Sequence, residues 1–425
     1  MLHRPKKILF IHPNFPAQFN LIARHLANRG DEVRVVTSCH NQKAIDPSFK
    51  VERYTAIRSS EAKYDLVKDF ETKAIRAESC LNLFLEILES GYYPEIVFYH
   101  PSWGEALFLR EVWPASLLIA YCEHFPSEKN SDIDFAREKE LAPHGRDYLK
   151  AKLKKFNYLI NLMDCDLGIS PTYFQKSTFP SEFQSKIRVV HEGVDTDYFR
   201  PKSDAILSLQ YHGRNITLSR KDEVITYINR NMEPYRGIHI FLEILPKILR
   251  DRPNAVVLII GSPSSGYGPS PAKTIHGSKT WFDIFWSRMN NSLTNEQLSR
   301  VLFLGTIGLE HYRLCLQVSS CHVHLSYPFT LSWSFMEAMS TGLPIVSSNS
   351  EAVREMAEDG EHAMLVDFYD VDSVVTQCIE LLKDRDLAVA LGTRAREEIV
   401  NNYDAGTVST PRLVSIIDDL TLSKS

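Results

Sequence analysis

The stretch Tyr327–Ser348, YPFTLSWSFMEAMSTGLPIVSS, reads as a loop, a short helix, a Gly-Leu-Pro turn and a buried strand. Phe335, Met336, Ala338 and Met339 make a mostly apolar helix that carries one acid, Glu337. Gly342 sits where a helix stops, and Ile345-Val346 begins a strand. A carboxylate one turn inside such a helix needs a partner. In a nucleotide-binding fold the natural partner is a pair of ribose hydroxyls, because a carboxylate accepts two hydrogen bonds from a vicinal diol. The ordinary alternative is a Glu on the solvent side of an amphipathic helix.

On either side of this stretch the chain alternates short apolar runs with helical periodicity. Lys7–His12 (KILFIH) is followed by a Pro-Asn-Phe-Pro loop, then by Gln18–Asn28, where Phe19, Ile22, Ala23 and Leu26 recur at helical spacing; Gly30 stops that helix and Glu32–Thr37 is a second strand. Residues up to about 70 read as a variable region, and a helix runs through Leu81–Leu88. Further strands fall at Glu95–His100, Ser116–Tyr121, Leu167–Ser170 and Ile187–Val190. In the second half they fall at Val224–Ile228, Ala255–Ile260, Val301–Leu304, Val323–Leu325 and Ala363–Val366. Strand-helix-strand repetition of this kind predicts parallel α/β domains. Residues 127–147 are charge-rich and irregular, a polar connection precedes Val224, and 262–279 is an insertion-like Ser/Gly/Pro stretch ahead of Trp281–Trp286 (WFDIFW).

At 425 residues the chain is too long for one ordinary core and suits two domains of about 200 residues each. Its 44% hydrophobic and 24% charged residues are those of a soluble globular protein, and a net charge of -5 argues against a general nucleic-acid binder. Seven scattered cysteines without a C-x-x-C pair suggest neither a disulfide framework nor a zinc site, so a reducing cytoplasm is expected. The apolar run after the basic N-terminus is too short for a signal peptide, and no run approaches the ~20 residues of a membrane span. One helix, Tyr148–Met163, places Leu149, Leu153, Phe156, Ile160 and Met163 on a stripe, with Lys150, Lys152, Lys154 and Lys155 largely off it. These lysines read as a solvated face or, more sharply, as attraction to an anionic membrane or a lipid-diphosphate acceptor.

Strand ends mark candidate ligand sites, because ligands of open α/β sheets collect at the carboxyl ends of strands. Asn14 and Gln18 lie in the loop after the first strand, and His100 and Glu105 just past another strand end. Arg230 and Arg236, followed by Gly237 and a helix, make a diphosphate site: guanidinium groups bridge phosphate oxygens and the helix end supplies N–H donors. Salt bridging, a backbone-satisfied His and a first-turn Glu are the plain alternatives. D-x-D pairs occur at Asp132/Asp134, Asp164/Asp166, Asp195/Asp197, Asp370/Asp372 and Asp384/Asp386, too many to discriminate. No P-loop, G-x-S-x-G elbow or H-E-x-x-H pair is present.

The Glu337 segment resembles the donor-site segment of retaining glycosyltransferases of family 4, usually Glu, seven residues, Glu, then Ala-Met, a small residue, Gly and Pro-Ile/Val-Val. Glu337 takes the second acid, while Phe329 stands at the first; PF-x-LSWS resembles the variant of a bacterial subgroup. His191–Pro201 (HEGVDTDYFRP) is similar to that family's NGVD-x-x-x-F-x-P boundary. The resemblance implies two Rossmann-like domains facing across a cleft (GT-B): residues 1–200 on the acceptor side, 201–408 binding the nucleotide sugar, and 409–425 returning to the first domain. It implies transfer of a sugar from a nucleotide diphosphate sugar to a glycan, lipid-linked or other hydroxyl acceptor, with retention, in bacterial polysaccharide or glycoconjugate synthesis. Neither a metal nor another cofactor is expected, and contact with the inner face of the membrane is compatible with it. His100, Arg230 and Arg236 would serve the reaction. Glu337, Phe329, Thr330, Ser332, Ser334 and Gly237 would line the donor, and Asn14, Gln18 and Glu105 the acceptor side or the cleft. Because Phe329 cannot accept hydrogen bonds from sugar hydroxyls, Thr330, Ser332 and Ser334 are expected to meet them, and Phe329→Glu to leave nucleotide affinity nearly unchanged. Two other readings are a sugar-nucleotide epimerase and a non-catalytic sugar-nucleotide-binding subunit.

Overall fold

The computed structural model describes residues 4–127, 131–137, 140–143, 145–268, 270–271, 277 and 279–424. The chain forms two compact α/β units, Met1–Gly193 with Ala405–Ser425, and Val194–Asp404.

The first unit is built on β1 (Lys7–Ile11), β2 (Glu32–Ser38), β3 (Lys50–Tyr54), β4 (Ile96–Tyr99), β5 (Leu117–Tyr121), β6 (Leu167–Ser170) and β7 (Ile187–Val189). They pair in parallel in the order β3-β2-β1-β4-β5-β6-β7. Alternate residues serve opposite faces, so both faces are apolar. Leu9, Ile11, Val97, Tyr99 and Leu118 meet helix α2 (Asp65–Glu89) and Trp113 on one side. Ile8, Phe10, Phe98 and Ile119 meet α1 (Asn20–Asn28) on the other. The C-terminal helix Thr410–Lys424 belongs to this second face: Leu413 and Ile417 enter its core, and Asp418 bridges Lys6 at 2.9 Å and Arg29 at 3.0 Å. The region before residue 70 holds β3 and the start of α2, which the polar composition of 40–70 concealed. Parts of the irregular 127–147 stretch, residues 128–130, 138–139 and 144, lie outside the described residues.

Helix α3 (Gly145–Asp164) departs from its pattern. Its inner face is set by Asn157 and Asn161, whose amides donate to the carbonyl of Pro101 at 2.7 and 3.2 Å, and the Lys73 ammonium donates to Asn157 at 3.2 Å. Paired polar groups therefore face inward, and Leu149, Phe156, Ile160 and Met163 are exposed.

In the second unit β10 (Val224–Asn231), β11 (Val256–Ser262), β12 (Val301–Gly305), β13 (Cys321–His324), β14 (Ile345–Ser348) and β15 (Met364–Val366) form a parallel sheet ordered β12-β11-β10-β13-β14-β15. A hairpin of β8 (Ile206–Tyr211) and β9 (Arg214–Ser219) stands where the polar connection was expected. His212 and Gly213 both adopt positive φ, 47° and 75°, as a two-residue turn between twisted strands requires; Leu207 and Leu218 anchor the hairpin to the core. The WFDIFW segment is a helix, Trp281–Met289, closed at its start by a Thr280/Asp283 capping box and buried through Trp281, Phe282, Ile284 and Phe285. In the stretch before it, residues 269, 272–276 and 278 lie outside the described residues.

In each sheet the strand order reverses once, between β1 and β4 in the first unit and between β10 and β13 in the second. At such a point the two connections leave to opposite faces and open a crevice at the carboxyl ends.

Candidate functional site

In the second unit the decisive element is the turn from β10 into helix α4 (Ile238–Asp251). Gly237 makes it possible: its φ is 73°, and a Cβ there would stand 2.4 Å from the Cβ of Leu325. Tyr227, stacked on Phe241 at 4.2 Å, donates its hydroxyl to the carbonyl of Arg236 and pins that backbone. Arg236 is 9% exposed. It donates to Ser326 Oγ at 3.2 Å and to the Thr330 carbonyl and hydroxyl at 3.4 and 3.5 Å, and it lies 5.7 Å from the ring centres of both Tyr267 and Phe329. Arg230, at the end of β10, is exposed. His324, the last residue of β13, is held neutral by burial first, then by His322 and Arg236, so it adds no positive charge beside the guanidinium.

Phe329 is part of this arrangement. Its ring packs at 4.9 Å from Tyr267 and 6.0 Å from Tyr235, and Tyr235 stacks on Tyr327 at 5.1 Å. Tyr267 is held in turn by Glu233, a residue that sequence reasoning missed. The buried Glu233 carboxylate accepts the backbone N–H groups of Gly266, Tyr267 and Gly268 at 2.8 to 3.2 Å. Only its place directly before Pro234 at a strand end could have flagged it. Phe329 thus supplies an aromatic face to Arg236, a contact worth about 0.5–2 kcal/mol. This packing reverses the expectation for Phe329→Glu: a carboxylate there would pair with Arg236 and compete with any diphosphate. Affinity for a bound nucleoside diphosphate is expected to fall by about tenfold, the scale of a charge-assisted bond, when measured by calorimetry; an unchanged affinity would show that Arg236 does not hold the diphosphate.

The neighbouring helix α6 (Trp333–Ser340) follows α5 (Leu309–Val318). It ends in a Schellman arrangement, with Leu343 N–H on Ala338 O, Gly342 N–H on Met339 O and Gly342 at φ 71°. Ser332 and Ser334 share a 2.8 Å hydrogen bond, and the Ser334 hydroxyl also donates to Ile228 O at the end of β10. Glu337 is half-buried and accepts the hydroxyl of Tyr312, a partner on α5 that its own segment could not reveal. Burial pushes its carboxyl up to about 7, against the opposing hydrogen bond from Tyr312.

In the first unit, His12 and His100 flank the switch point with rings 5.8 Å apart, and Trp103 lies against both. His100 Nδ1 accepts the backbone N–H of Ser102 at 3.2 Å, so the ring proton sits on Nε2 and faces Glu123 Oε2 at 3.2 Å. Gln18 donates to the other Glu123 oxygen at 3.2 Å. Burial pushes Glu123 up, yet the bonds from His100 and Gln18 hold it below the usual carboxylate range. Glu123, just past the end of β5, was legible as a strand-end acid but had no motif to mark it. Asn14 is exposed and its N–H donates to His12 Nδ1 at 3.0 Å. Glu105 is placed apart from this group: it is 2% exposed, accepts the Tyr54 hydroxyl at 2.5 Å and forms an ion pair with Arg76 at 3.6 Å, and burial raises its carboxyl. That arrangement ties α2 and β3 to the loop after β4, so Glu105 is a buried structural carboxyl where an acceptor-side or cleft residue was expected.

The sequence model of the family described as "Glycosyl transferase family 4 group" matches residues 29–199, and that of "Glycosyl transferases group 1" matches residues 213–398. A GDP-mannose-dependent alpha-(1-6)-phosphatidylinositol monomannoside mannosyltransferase of Mycobacterium tuberculosis is 25% identical over 245 residues, 56% of this chain and 57% of the relative. The chain thus matches a little over half the length of that relative. Among solved structures, sucrose-phosphate synthase from Thermosynechococcus elongatus superposes with a TM-score of 0.75 at 15% identity, covering 98% of this chain and all of the other. Anabaena HepE in complex with UDP-glucose does so with a TM-score of 0.67 at 15% identity, covering 97% of this chain and all of the other.

Proposed function

We propose that this chain, which belongs to the glycosyltransferases of GT-B fold, moves a hexose from a nucleotide diphosphate sugar to an acceptor hydroxyl with retention of anomeric configuration. The observation that carries this reading is Arg236. A nearly buried guanidinium, braced by Ser326, Thr330 and two aromatic faces, opens helix α4 at the sheet's switch point, where a diphosphate would also meet the helix's unpaired N–H groups. Glu337 would accept the ribose diol, and Arg230 would reach the phosphates from the surface. Ser332 and Ser334 would meet sugar hydroxyls, and Thr330 would hold Arg236. In the first unit the His100–Glu123 pair, with Asn14 and Gln18, supplies the acceptor side.

In the step itself the bond from the anomeric carbon to the diphosphate oxygen breaks and a bond to the acceptor oxygen forms on the same face. The acceptor proton passes to the leaving diphosphate. Arg236 stabilises the charge that develops on that leaving group. Arg230, Arg236 and the helix N-terminus would offset the diphosphate charge in place of a divalent ion, so turnover is expected to survive EDTA. A cytoplasmic place in polysaccharide or glycoconjugate synthesis, with contact at the inner face of the membrane, fits this reading.

The test is a thermal-shift panel of UDP-, GDP-, dTDP- and ADP-sugars, followed by turnover of the tightest donor with and without candidate acceptors and with EDTA. A raised melting temperature and acceptor-dependent release of nucleoside diphosphate are expected. Binding without turnover would make the chain a sugar-nucleotide-binding subunit, turnover without acceptor an epimerase, and loss with EDTA restored by Mg²⁺ would place a metal at the diphosphate.

A further inference from the structure

Helix α3 is amphipathic in the unusual sense. Its buried face holds Asn157, 1% exposed, and Asn161, while Phe156 is 51% and Met163 71% exposed. Leu149, Phe156, Ile160 and Met163 are spaced seven, four and three apart and so share one side of the helix. The patch continues onto α2, where Val67 and Phe70 are also exposed and the Phe70 ring meets Phe156 at 5.9 Å. A run of six exposed apolar side chains over two packed helices is more than scattered surface hydrophobicity, and it marks an interaction surface.

The charge around it selects the partner. Helix α3 carries Arg146, Lys150, Lys152, Lys154 and Lys155 against Asp147 and Asp164, in a chain whose net charge is -5. Lys152, three residues after Leu149 and four before Phe156, is exposed beside the apolar stripe, whereas Lys154 is exposed on the side of the helix that carries Asn157 and Asn161, and the Lys150 head is bridged to Asp65 at 2.8 Å. A second copy of the chain would bring like charges together, whereas an anionic bilayer satisfies both features at once: acyl chains take the apolar stripe and phosphates take the ammonium groups. No described helix is long and apolar enough to cross a membrane.

We propose that the α2–α3 face is a peripheral docking surface for anionic phospholipid, with Leu149, Phe156, Ile160 and Met163 entering the interface and Lys152 at its edge reading its charge. The proposal names the surface behind the membrane contact suggested above, and it does not depend on sugar transfer.

Sedimentation of the full chain with vesicles tests it. Binding is expected to vesicles holding about 30 mol % phosphatidylglycerol, to weaken with salt, and to be slight with phosphatidylcholine alone. The double variant Phe156→Ser/Met163→Ser, at exposed positions, is expected to lower partitioning roughly tenfold. Lys152→Glu is expected to weaken the preference for anionic lipid. Both should retain nucleotide binding, which separates this result from the fate of the proposed reaction. The proposal is overturned if the wild-type chain sediments with neither vesicle or if neither variant changes binding. It is equally overturned if sedimentation equilibrium shows a dimer that the serine variant dissolves while vesicles are ignored.

Discussion

Arg236→Ala is expected to lower kcat/KM for the donor by about 10²–10³, the cost of removing one preorganised donor aimed at developing charge. The guanidinium is held in place before any ligand arrives, so little reorganisation is needed when a diphosphate binds: Ser326 and Thr330 fix its plane, Tyr267 and Phe329 lie beside it, and Tyr227 fixes its backbone. The alanine variant also strips Ser326 and Thr330 of a donor in a buried setting, and part of any loss could come from local refolding. Arg236→Lys separates the two effects. It keeps the charge but not the planar fork, and it should retain the wild-type melting temperature while losing about tenfold in kcat/KM. Wild-type turnover in a folded alanine variant would remove Arg236 from the reaction.

Glu337→Gln is expected to weaken nucleotide-sugar binding by about 1–3 kcal/mol, since an amide accepts less strongly from a ribose diol than a carboxylate does. The same residue predicts a pH dependence. Burial raises its carboxyl to about 7 in the free protein, so the proton is bound below that pH and released above it. The diol needs the ionised form. Donor affinity should therefore rise as pH climbs through 7, be about tenfold lower at pH 6 than on the plateau, and level off above pH 8. Glu337→Gln should be flat over this range. Tyr312→Phe, which removes the hydrogen bond that favours the carboxylate, should move the midpoint upward. Titration calorimetry from pH 5.5 to 8.5 reads all three, and a wild-type affinity independent of pH would contradict the assignment of Glu337 to the ribose.

Much of this protein follows from local pattern. Short apolar runs separated by amphipathic helices require parallel strands with both faces covered, because a crossover helix is the only short way to return to the same edge. The helix, Gly342 turn and strand after Glu337 were legible because each is set by residues within a few positions, as were Gly237 at a tight turn and an arginine ahead of a helix. The strand ends that carry His100, Gln18 and Arg236 were readable for the same reason.

Other features depended on side chains far apart in sequence. Glu233 and Glu123 are unremarkable as letters; they matter because the fold brings the 266–268 backbone to the first, and Gln18 and His100 to the second. Tyr312 reaches Glu337 only once α5 and α6 pack. Phe329 reads as a lost acid in its motif and becomes an aromatic support when Tyr267 and Arg236 close around it. Helix α3 is the clearest case. Its periodicity identifies an apolar stripe but cannot say which side faces the core. That was decided by Asn157 and Asn161, because a buried amide must find its hydrogen bonds, and Pro101 and Lys73 offered them on the opposite face. Local sequence determined the elements, their order and the strand ends where ligands gather; only tertiary packing, through the pairing of buried polar groups, decided which side chains meet there.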